Sequence, residues 1–189
     1  MKIIGIGKEL PKQVYLIADS AIIKTNKPFF VPHFAQSFTG TPAIVLHIDR
    51  LGKHIAPRFA HRYCLAVAPA IKVTARRLAS EQPTEATSAL ANSFDGALLL
   101  GDFTAVDDPT SINSSVVTME HNSENASRGS LNDMGLDFRQ LIAQLSVYFT
   151  LKMGDMIVVE LGASDIELKM GDNLRAAING DQKLTIRVK

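Results

Sequence analysis

The chain has 189 residues, of which 46% are hydrophobic and 21% charged, a composition typical of a soluble globular domain with a sizeable core. Its formal net charge of +1 excludes the strongly basic surface that nucleic-acid binding needs. The single cysteine, Cys64, excludes an internal disulfide, and no apolar run has the length of a signal peptide or a membrane-spanning helix. We therefore expect a cytoplasmic protein that binds neither nucleic acid nor membrane.

Short runs rich in Val, Ile and Leu predict β-strands, because most of them are bounded by turn-forming Gly, Pro, Asn or Asp. These runs are 2–7, 13–17, 21–24, 43–49, 63–71, 97–103, 115–120, 156–161, 174–178 and 183–188. Two segments predict helices. Residues 74–82 begin at Thr74, a suitable N-cap, and residues 135–151 have apolar side chains near helical spacing after Asp133, which we expect to cap that helix.

The stretch 107–132 is polar and rich in Ser and Asn, which is also typical of a linker between two domains. The apolar pair at 116–117 and the turn-forming Asn122 and Ser123 favour a β-excursion within one domain instead. We therefore predict a single α+β domain over residues 1–189, rich in β-structure and with few helices.

The phrase Leu-Lys-Met-Gly-Asp occurs twice, at 151–155 and at 168–172. Gly adopts backbone dihedrals that other residues resist, and Asp can accept hydrogen bonds from nearby backbone N–H groups. Each copy therefore predicts a turn that starts a strand.

The order and spacing of several phrases resemble the fumarylacetoacetate hydrolase family. In that family a Gly-Asp turn leads into a strand that ends in Thr-Gly-Thr-Pro, and a second Gly-Asp turn follows. The other matching phrases are 1–8, 50–63, 74–78, 93–101 and 132–134. The resemblance covers the chain from about Val14 to its end, in addition to the first strand.

The resemblance implies a mixed β-roll or sandwich, like the C-terminal domain of the family, which is often dimeric. It also implies Mg²⁺ or Mn²⁺ chemistry that hydrolyses, decarboxylates or isomerises 2-oxo and 1,3-dioxo acids. Such a hard cation needs oxygen ligands, which three carboxylates supply, and it polarises the oxo group of the substrate. The helix that carries the family's catalytic His has no counterpart here, because the lid region at about 8–14 is short.

The three metal-binding carboxylates of the family are missing at the corresponding positions. Counting back from Arg50, the Glu-x-Glu pair falls on Thr41 and Ala43, and the third ligand falls on Lys72. A hydroxyl, a methyl group and a cation replace three anions, and Lys72 would repel a divalent ion. From these replacements we expect no metal cofactor and no metal-dependent hydrolase activity.

Positions that contact the substrate in the family also carry different side chains. They correspond to Ile17, Asn92, Ser127, Val159 and Leu161. Because Val159 and Leu161 share one face of a strand, we expect a small, apolar and partly collapsed pocket, with the intervening residue pointing away from it.

Lys72 needs a partner under this interpretation, because burying an unpaired ammonium is costly. We expect Lys72 to take the electrostatic place of the lost metal and to pair with a carboxylate. Asp19 is one candidate partner, and Glu160 is another if a bulge turns it inward.

A rebuilt transition-metal site is an alternative. His47 and Asp49 lie two residues apart on one strand face, and His54 or His61 could add a ligand. The more ordinary interpretation is that Asp49 caps the strand and that the histidines are surface or core residues.

Three functions remain open. The first is a non-catalytic family relative that keeps the fold for a dimer surface or for binding a small organic acid. The second is an enzyme with a metal-dependent or remodelled site that acts on 2-oxo or acylpyruvate-type acids, and the third is an inactive partner subunit of an active family member. We expect a homodimer, because exposed strand surface is normally covered or paired.

Overall fold

The computed structural model describes residues 1–8, 13–78, 85–162 and 164–189, and that part of the chain forms thirteen strands and two α-helices. The strands are β1 (Ile3–Ile6), β2 (Val14–Ile17), β3 (Ile22–Lys24), β4 (Ala35–Ile48), β5 (Cys64–Leu78), β6 (Leu98–Leu100), β7 (Thr104–Ala105), β8 (Val117–His121), β9 (Glu124–Gly129), β10 (Met156–Glu160), β11 (Ile166–Glu167), β12 (Asn173–Ile178) and β13 (Asp181–Arg187). The helices are α1 (Glu85–Ser93) and α2 (Phe138–Tyr148), and short 3₁₀ helices cover Asp19–Ala21, Pro57–Arg62 and Pro109–Ser114. The predicted β-rich α+β fold with few helices is confirmed.

The larger sheet has the strand order β2-β1-β10-β4-β5-β6-β3, with β11 paired to β4 and β7 paired to β5. It is a mixed sheet, because β1 runs parallel to β10 and β3 runs parallel to β6, whereas β4 is antiparallel to β5, β10 and β11. Every run predicted as a strand overlaps an observed strand. The two central strands are longer than predicted, since β4 begins at Ala35 and β5 continues to Leu78.

Two prolines lie inside these central strands, each at a point where the strand changes its partner. Pro42 separates the part of β4 that pairs with β11 from the part that pairs with β10. Pro69 likewise separates the parts of β5 that pair with β7 and with β6. The carbonyl of Pro42 accepts from Leu161 N at 2.7 Å and that of Pro69 from Gly101 N at 3.0 Å. The missing N–H of each proline therefore falls in a gap between partner strands, and no ladder bond between β4 and β5 is lost.

The second sheet has the order β13-β12-β8-β9 and is antiparallel throughout. Its strands β8 and β9 form a hairpin in the polar stretch 107–132, so the predicted β-excursion is confirmed. The hairpin turns at Asn122 and Ser123, whose φ values are 53° and 72°. Apolar side chains of this sheet, including Met119 and Leu174, pack against Phe38 and others from the larger sheet.

The two faces of the larger sheet bury different apolar clusters. On one face, residues from β1, β4 and β10 pack beneath α2, and they include Ile4, Ile44 and Val159. On the opposite face lies a cluster of smaller side chains. Its buried members are Ile3, Ile17, Ala21, Ala43, Val45, Ala68, Ala70, Ala97, Leu98, Leu100, Met156 and Val158.

The predicted helix at 74–82 is wrong, because its first five residues form the end of β5. Ala75 pairs there with Phe38 of β4, and the remainder of the predicted helix lies outside the described residues. Burial alternates along this part of β5, with Val73 and Ala75 buried and Arg76 exposed, as expected for a strand.

The second predicted helix is confirmed as α2, but its N-cap is Asp137 and not Asp133. The carboxylate of Asp137 accepts from the backbone N of Arg139 at 2.7 Å, which is the contact that an N-cap makes. Asp133 instead closes the preceding turn, where it accepts from Ser130 N at 2.9 Å. None of the helices in the described part of the chain is both long and apolar enough to span a membrane.

The repeated Leu-Lys-Met-Gly-Asp phrase forms two equivalent turns. Gly154 and Gly171 have φ values of +86° and +97°, which favour glycine. One carboxylate oxygen of Asp155 accepts from the backbone N of the Lys three residues earlier at 2.8 Å, and Asp172 makes the same bond at 2.7 Å. The first turn leads into β10 and the second into β12, as the sequence predicts.

Candidate functional site

A cavity of about 250 Å³ opens on the larger sheet beside β2, β4, β5 and β10. Most of the residues that line it are polar, so the prediction of an apolar, partly collapsed pocket is wrong. The polar lining residues are Lys8, Gln13, Tyr15, Thr41, Thr74, Arg76, Asn92, Glu160 and Asp165.

Strand register brings together the three positions to which the resemblance assigns metal ligands. Thr41 on β4 lies directly opposite Lys72 on β5, and Ala43 lies two residues further along β4. Glu160 on β10 pairs with Ala43 from the other side. Residues that are opposite each other, or two apart on one strand, project to the same face of a sheet. All four side chains therefore lie on the cavity side.

The ammonium group of Lys72 is fully buried in this part of the sheet. Its Nζ donates to the carbonyl of Val73 at 2.7 Å and lies 3.5 Å from Oδ1 of Asn92 on α1. It also lies 5.5 Å from the centre of the Tyr15 ring, an arrangement that allows a cation–π interaction. A carbonyl, an amide and an aromatic face thus surround the charge.

The predicted ion pair of Lys72 is wrong. Within the described residues, no carboxylate oxygen lies within 4.0 Å of its Nζ. Asp19 is exposed on a 3₁₀ helix, and Glu160 acts on Lys72 only from a greater distance. Burial lowers the pKa of Lys72 to about 8, although the charge of Glu160 opposes this shift.

Tyr15 is the hydrogen-bond donor that holds Glu160. The Tyr15 hydroxyl donates to Oε1 of Glu160, and it reaches that carboxylate across β1 because Gly5 has no side chain. A Cβ at Gly5 would lie only 2.3 Å from Cε2 of Tyr15. Burial and then the charge of Glu160 raise the pKa of Tyr15 far above its ordinary value, so the phenol remains a donor at neutral pH.

A second polar cluster, which we call the Asp165 cluster, lies at the same cavity. It consists of Asp165, between β10 and β11, and its donors Lys8, Thr41 and Arg76. Oδ1 of Asp165 accepts from Lys8 Nζ and from Thr41 Oγ1, each at 2.6 Å, and Oδ2 accepts from Arg76 Nη2 at 2.6 Å. Burial opposes ionisation of Asp165, yet these hydrogen bonds and the two cations hold its pKa below the ordinary value.

The positions expected to form the substrate pocket are only partly brought together. Asn92 lines the cavity, and Ile17 lies on the same face of the sheet within the adjoining apolar cluster. Val159 and Leu161 lie on the opposite face in the core beneath α2, so their predicted place in the pocket is wrong. Ser127 on β9 lies next to Gly162, away from the cavity lining.

Strand alternation explains this difference on β10. The strand is regular where it pairs with β4, so Val159 points to one face and Glu160 to the other. The cavity lies on the face of Glu160, the residue that we expect from the sequence to point away from the pocket. No bulge is needed to bring it there.

His47 and Asp49 form a structural contact. Nδ1 of His47 lies 2.8 Å from Oδ1 of Asp49, and Oδ2 of Asp49 accepts from Leu65 N at 2.8 Å. In the ranges that the structure describes, no three His, Cys, Asp or Glu side chains are grouped so that they could hold a metal ion. The contact with Leu65 supports the ordinary interpretation, in which Asp49 caps the strand.

The side chains around the cavity are not suited to coordinate the Mg²⁺ or Mn²⁺ that the family resemblance implies. Such cations take several oxygen ligands, usually including carboxylates. The carboxylate of Glu160 is held by Tyr15, and that of Asp165 is held by three donors of its own. At the position to which the resemblance assigns the third ligand, a divalent ion would meet the ammonium of Lys72.

Several residues of this site are not predicted from the sequence. Tyr15 could have been predicted, because it lies two residues from Ile17 and therefore shares the strand face of a residue that we expect at the pocket. No pattern in the sequence links Lys8, Arg76 and Asp165. The three segments that bear them are far apart in the chain and meet only in the folded protein.

The fold and the order of its motifs define a protein of the fumarylacetoacetate hydrolase type. Residues 5–189 match the family described as fumarylacetoacetate (FAA) hydrolase C-terminal. The chain therefore belongs to the fumarylacetoacetate hydrolase family, as the motif order predicts.

Similar proteins in this family are enzymes. The mitochondrial oxaloacetate tautomerase fahd-1 of Caenorhabditis elegans is 24% identical over 170 residues, which are 88% of this chain and 79% of that protein. A 2-hydroxyhepta-2,4-diene-1,7-dioate isomerase from Mycobacterium marinum is 22% identical, with a TM-score of 0.86 over 99% of this chain and 73% of its own. A fumarylpyruvate hydrolase from Pseudomonas aeruginosa, solved with Mn²⁺ and pyruvate, is 15% identical, with a TM-score of 0.85 over 100% of this chain and 89% of its own. At these identities the structural likeness shows the fold.

Proposed function

We propose that this chain binds a small organic acid in the cavity without a divalent cation, and that it lacks the metal-dependent hydrolysis that the family resemblance implies. The observation that supports this function is the buried ammonium of Lys72, directly opposite Thr41 at the positions of the family's metal ligands. A fixed positive charge here supplies part of the field that a metal would supply, but it cannot coordinate a substrate oxygen as a metal does.

The charges around the cavity favour an anionic ligand. Lys8 and Arg76 line it, Lys72 lies beneath the same region, and the carboxylates of Glu160 and Asp165 oppose these three cations. Among the described residues of the cavity, these charges sum to one positive charge. A volume of about 250 Å³ is below the usual range for drug-sized ligands, so a small acid fits better than a large one.

Calorimetric titration of oxalate, a mimic of the enolate of a 2-oxo acid, tests this function. We expect oxalate to bind chelator-treated protein, and the Kd to stay the same when Mg²⁺ or Mn²⁺ is added. Binding that appears only with the metal would refute the proposal. Malonamide, which is neutral and of similar size, serves as the control ligand and should not bind.

The pair of Tyr15 and Glu160 favours a second candidate, a metal-free enzyme that moves a proton next to the oxo group of a 2-oxo acid. A carboxylate at a cavity wall is a candidate general base, and the phenol beside it could return the proton. The same cavity would then perform tautomerisation rather than binding alone.

Deuterium exchange at the carbon next to the oxo group of oxaloacetate, followed by NMR in the presence of chelator, separates the two functions. Exchange that is faster than in buffer, and that is lost in Glu160→Gln but kept in Glu167→Gln, would establish the enzyme. Glu167 is a suitable control because it is an exposed carboxylate paired with Lys169. We expect no acceleration if the protein only binds the acid.

We also propose that the protein is a cytoplasmic homodimer. The thiol of Cys64 is free and buried, which is compatible with a reducing compartment. Exposed apolar side chains, among them Leu51, Val147, Tyr148 and Met153, offer surface that a second copy could cover.

A further inference from the structure

The Asp165 cluster has the composition of a binding site for a carboxylate. One guanidinium, one ammonium and one hydroxyl converge on the two oxygens of Asp165, each with a contact of 2.6 Å. Charge-assisted hydrogen bonds of this kind are short, and Arg is the residue best suited to hold a carboxylate. The chain itself supplies the anion that occupies this site.

Two of the three donors are fixed by the sheet, independently of Asp165. Thr41 and Arg76 lie on the paired strands β4 and β5, and Nε of Arg76 also donates to Thr39 Oγ1 at 3.1 Å. Asp165 lies outside these strands, in the connection between β10 and β11. Thr41 and Arg76 would therefore keep their positions if the carboxylate of Asp165 moved away.

The cluster is also open to the cavity. Lys8, Thr41, Arg76 and Asp165 all line it, and 19% of the Asp165 side chain and 46% of the Arg76 side chain are exposed. A ligand in the cavity could thus reach the same donors without passing through the core.

We propose that Lys8, Thr41 and Arg76 form the position that binds the carboxylate of the organic acid, and that Asp165 fills this position as an internal competitor until the acid displaces it. This inference rests on the proposed function and specifies where the acid binds. It also predicts that the wild-type protein binds more weakly than its donors allow, because each binding event must first displace a carboxylate.

Removal of the internal carboxylate tests the competition. We expect Asp165→Asn to bind oxalate at least about tenfold more tightly than wild type does. The reason is that oxalate no longer has to displace a carboxylate that is hydrogen-bonded to charged donors. The matched control is Asp181→Asn, which changes the net charge equally at an exposed carboxylate paired with Lys183 at 2.8 Å. Titration calorimetry at constant ionic strength should give the control the wild-type Kd.

A second variant tests the donors if Asp165→Asn does not fold. We expect Arg76→Gln to weaken oxalate binding by about tenfold or more. Arg175→Gln is the matched control, because the Arg175 side chain is also 46% exposed and lies near a carboxylate, that of Glu120. It should leave the Kd unchanged.

Each outcome bears on one of the two proposals. If wild type binds oxalate and neither Asp165→Asn nor Arg76→Gln changes the Kd, the acid binds elsewhere in the cavity, and this inference fails while the proposed function stands. If neither wild type nor Asp165→Asn binds, both proposals are overturned. Binding by Asp165→Asn alone would show that the acid does not displace Asp165 in wild type, which overturns the proposed function and this inference as stated.

Discussion

Replacement of Lys72 by Met tests whether this protein buries a positive charge at a position to which the family resemblance assigns a metal ligand. Met has a similar volume and no charge. A buried ion pair that loses its cation typically costs about 3–5 kcal/mol, because an unpaired acid remains. We expect no such loss here, because the carboxylate of Glu160 keeps its hydrogen bond from Tyr15 when Lys72 is removed.

The pH dependence of the free energy of unfolding should be a more specific test of the buried charge than the effect of Lys72→Met at a single pH. Burial lowers the pKa of Lys72 from 10.5 in the unfolded chain to about 8 in the folded protein. Between these values the unfolded chain binds more protons than the folded protein, so this group makes the free energy of unfolding rise with pH. Below the folded pKa both states are protonated, and the slope disappears. From about pH 7.5 to about pH 10 the linkage amounts to roughly 2 kcal/mol.

Urea unfolding of wild type and Lys72→Met at several pH values measures this effect. We expect the stability of wild type, relative to the variant, to increase by about 2 kcal/mol across that range. Lys169→Met controls for the loss of a surface charge, since the Lys169 side chain is 72% exposed. A difference between wild type and Lys72→Met that stays constant with pH would refute the account of a destabilised buried ammonium.

Three further predictions concern the supports of the site and the assembly. Gly5→Ala should destabilise the protein by about 1–3 kcal/mol in urea unfolding, because the new Cβ would collide with Tyr15, whereas Gly7→Ala should have little effect since its Cβ would meet its nearest neighbour at 3.7 Å. Asp155→Ala should cost about 1–3 kcal/mol, because the backbone N–H groups of Lys152 and of the residue before β1 lose their acceptor. Although burial opposes its ionisation, hydrogen bonds hold the pKa of Asp155 below 3.8, so the wild-type advantage should be present at neutral pH and fade as the pH falls through that lowered pKa. Light scattering should give the mass of a dimer, and a monomer mass at working concentration would contradict the proposed homodimer.

The strands can be predicted from the sequence because apolar runs and turn residues are local signals. The same signals fail at 74–78, where Thr74 is a suitable N-cap residue but lies within the central strand β5. Thr41 and Lys72, two of the positions counted from the family motifs, lie directly opposite each other on β4 and β5, but the register alone does not assign them a role. Glu160 shows the limit of this approach. Alternation predicts that it points opposite to its neighbours, but not which face of the sheet bears the cavity.

The Asp165 cluster could not be predicted, for a different reason. Its residues come from the segments after β1, in β4, in β5 and after β10, and no motif links them. Ion pairs of this kind depend on the folded arrangement of distant segments. Counting charged residues in the sequence gives the net charge but not their partners.

A titration of Mn²⁺ into chelator-treated protein tests the central claim, that the cavity functions without a divalent cation, most directly. The matched variant restores three carboxylates at the family positions, with Thr41→Glu, Ala43→Glu and Lys72→Asp. We expect no stoichiometric heat from wild type, while a folded triple variant should gain a site, because its ligands then surround one point on the cavity side of the sheet. A single site of micromolar affinity in the wild-type protein would contradict the account, since the metal would then bind despite the buried ammonium of Lys72.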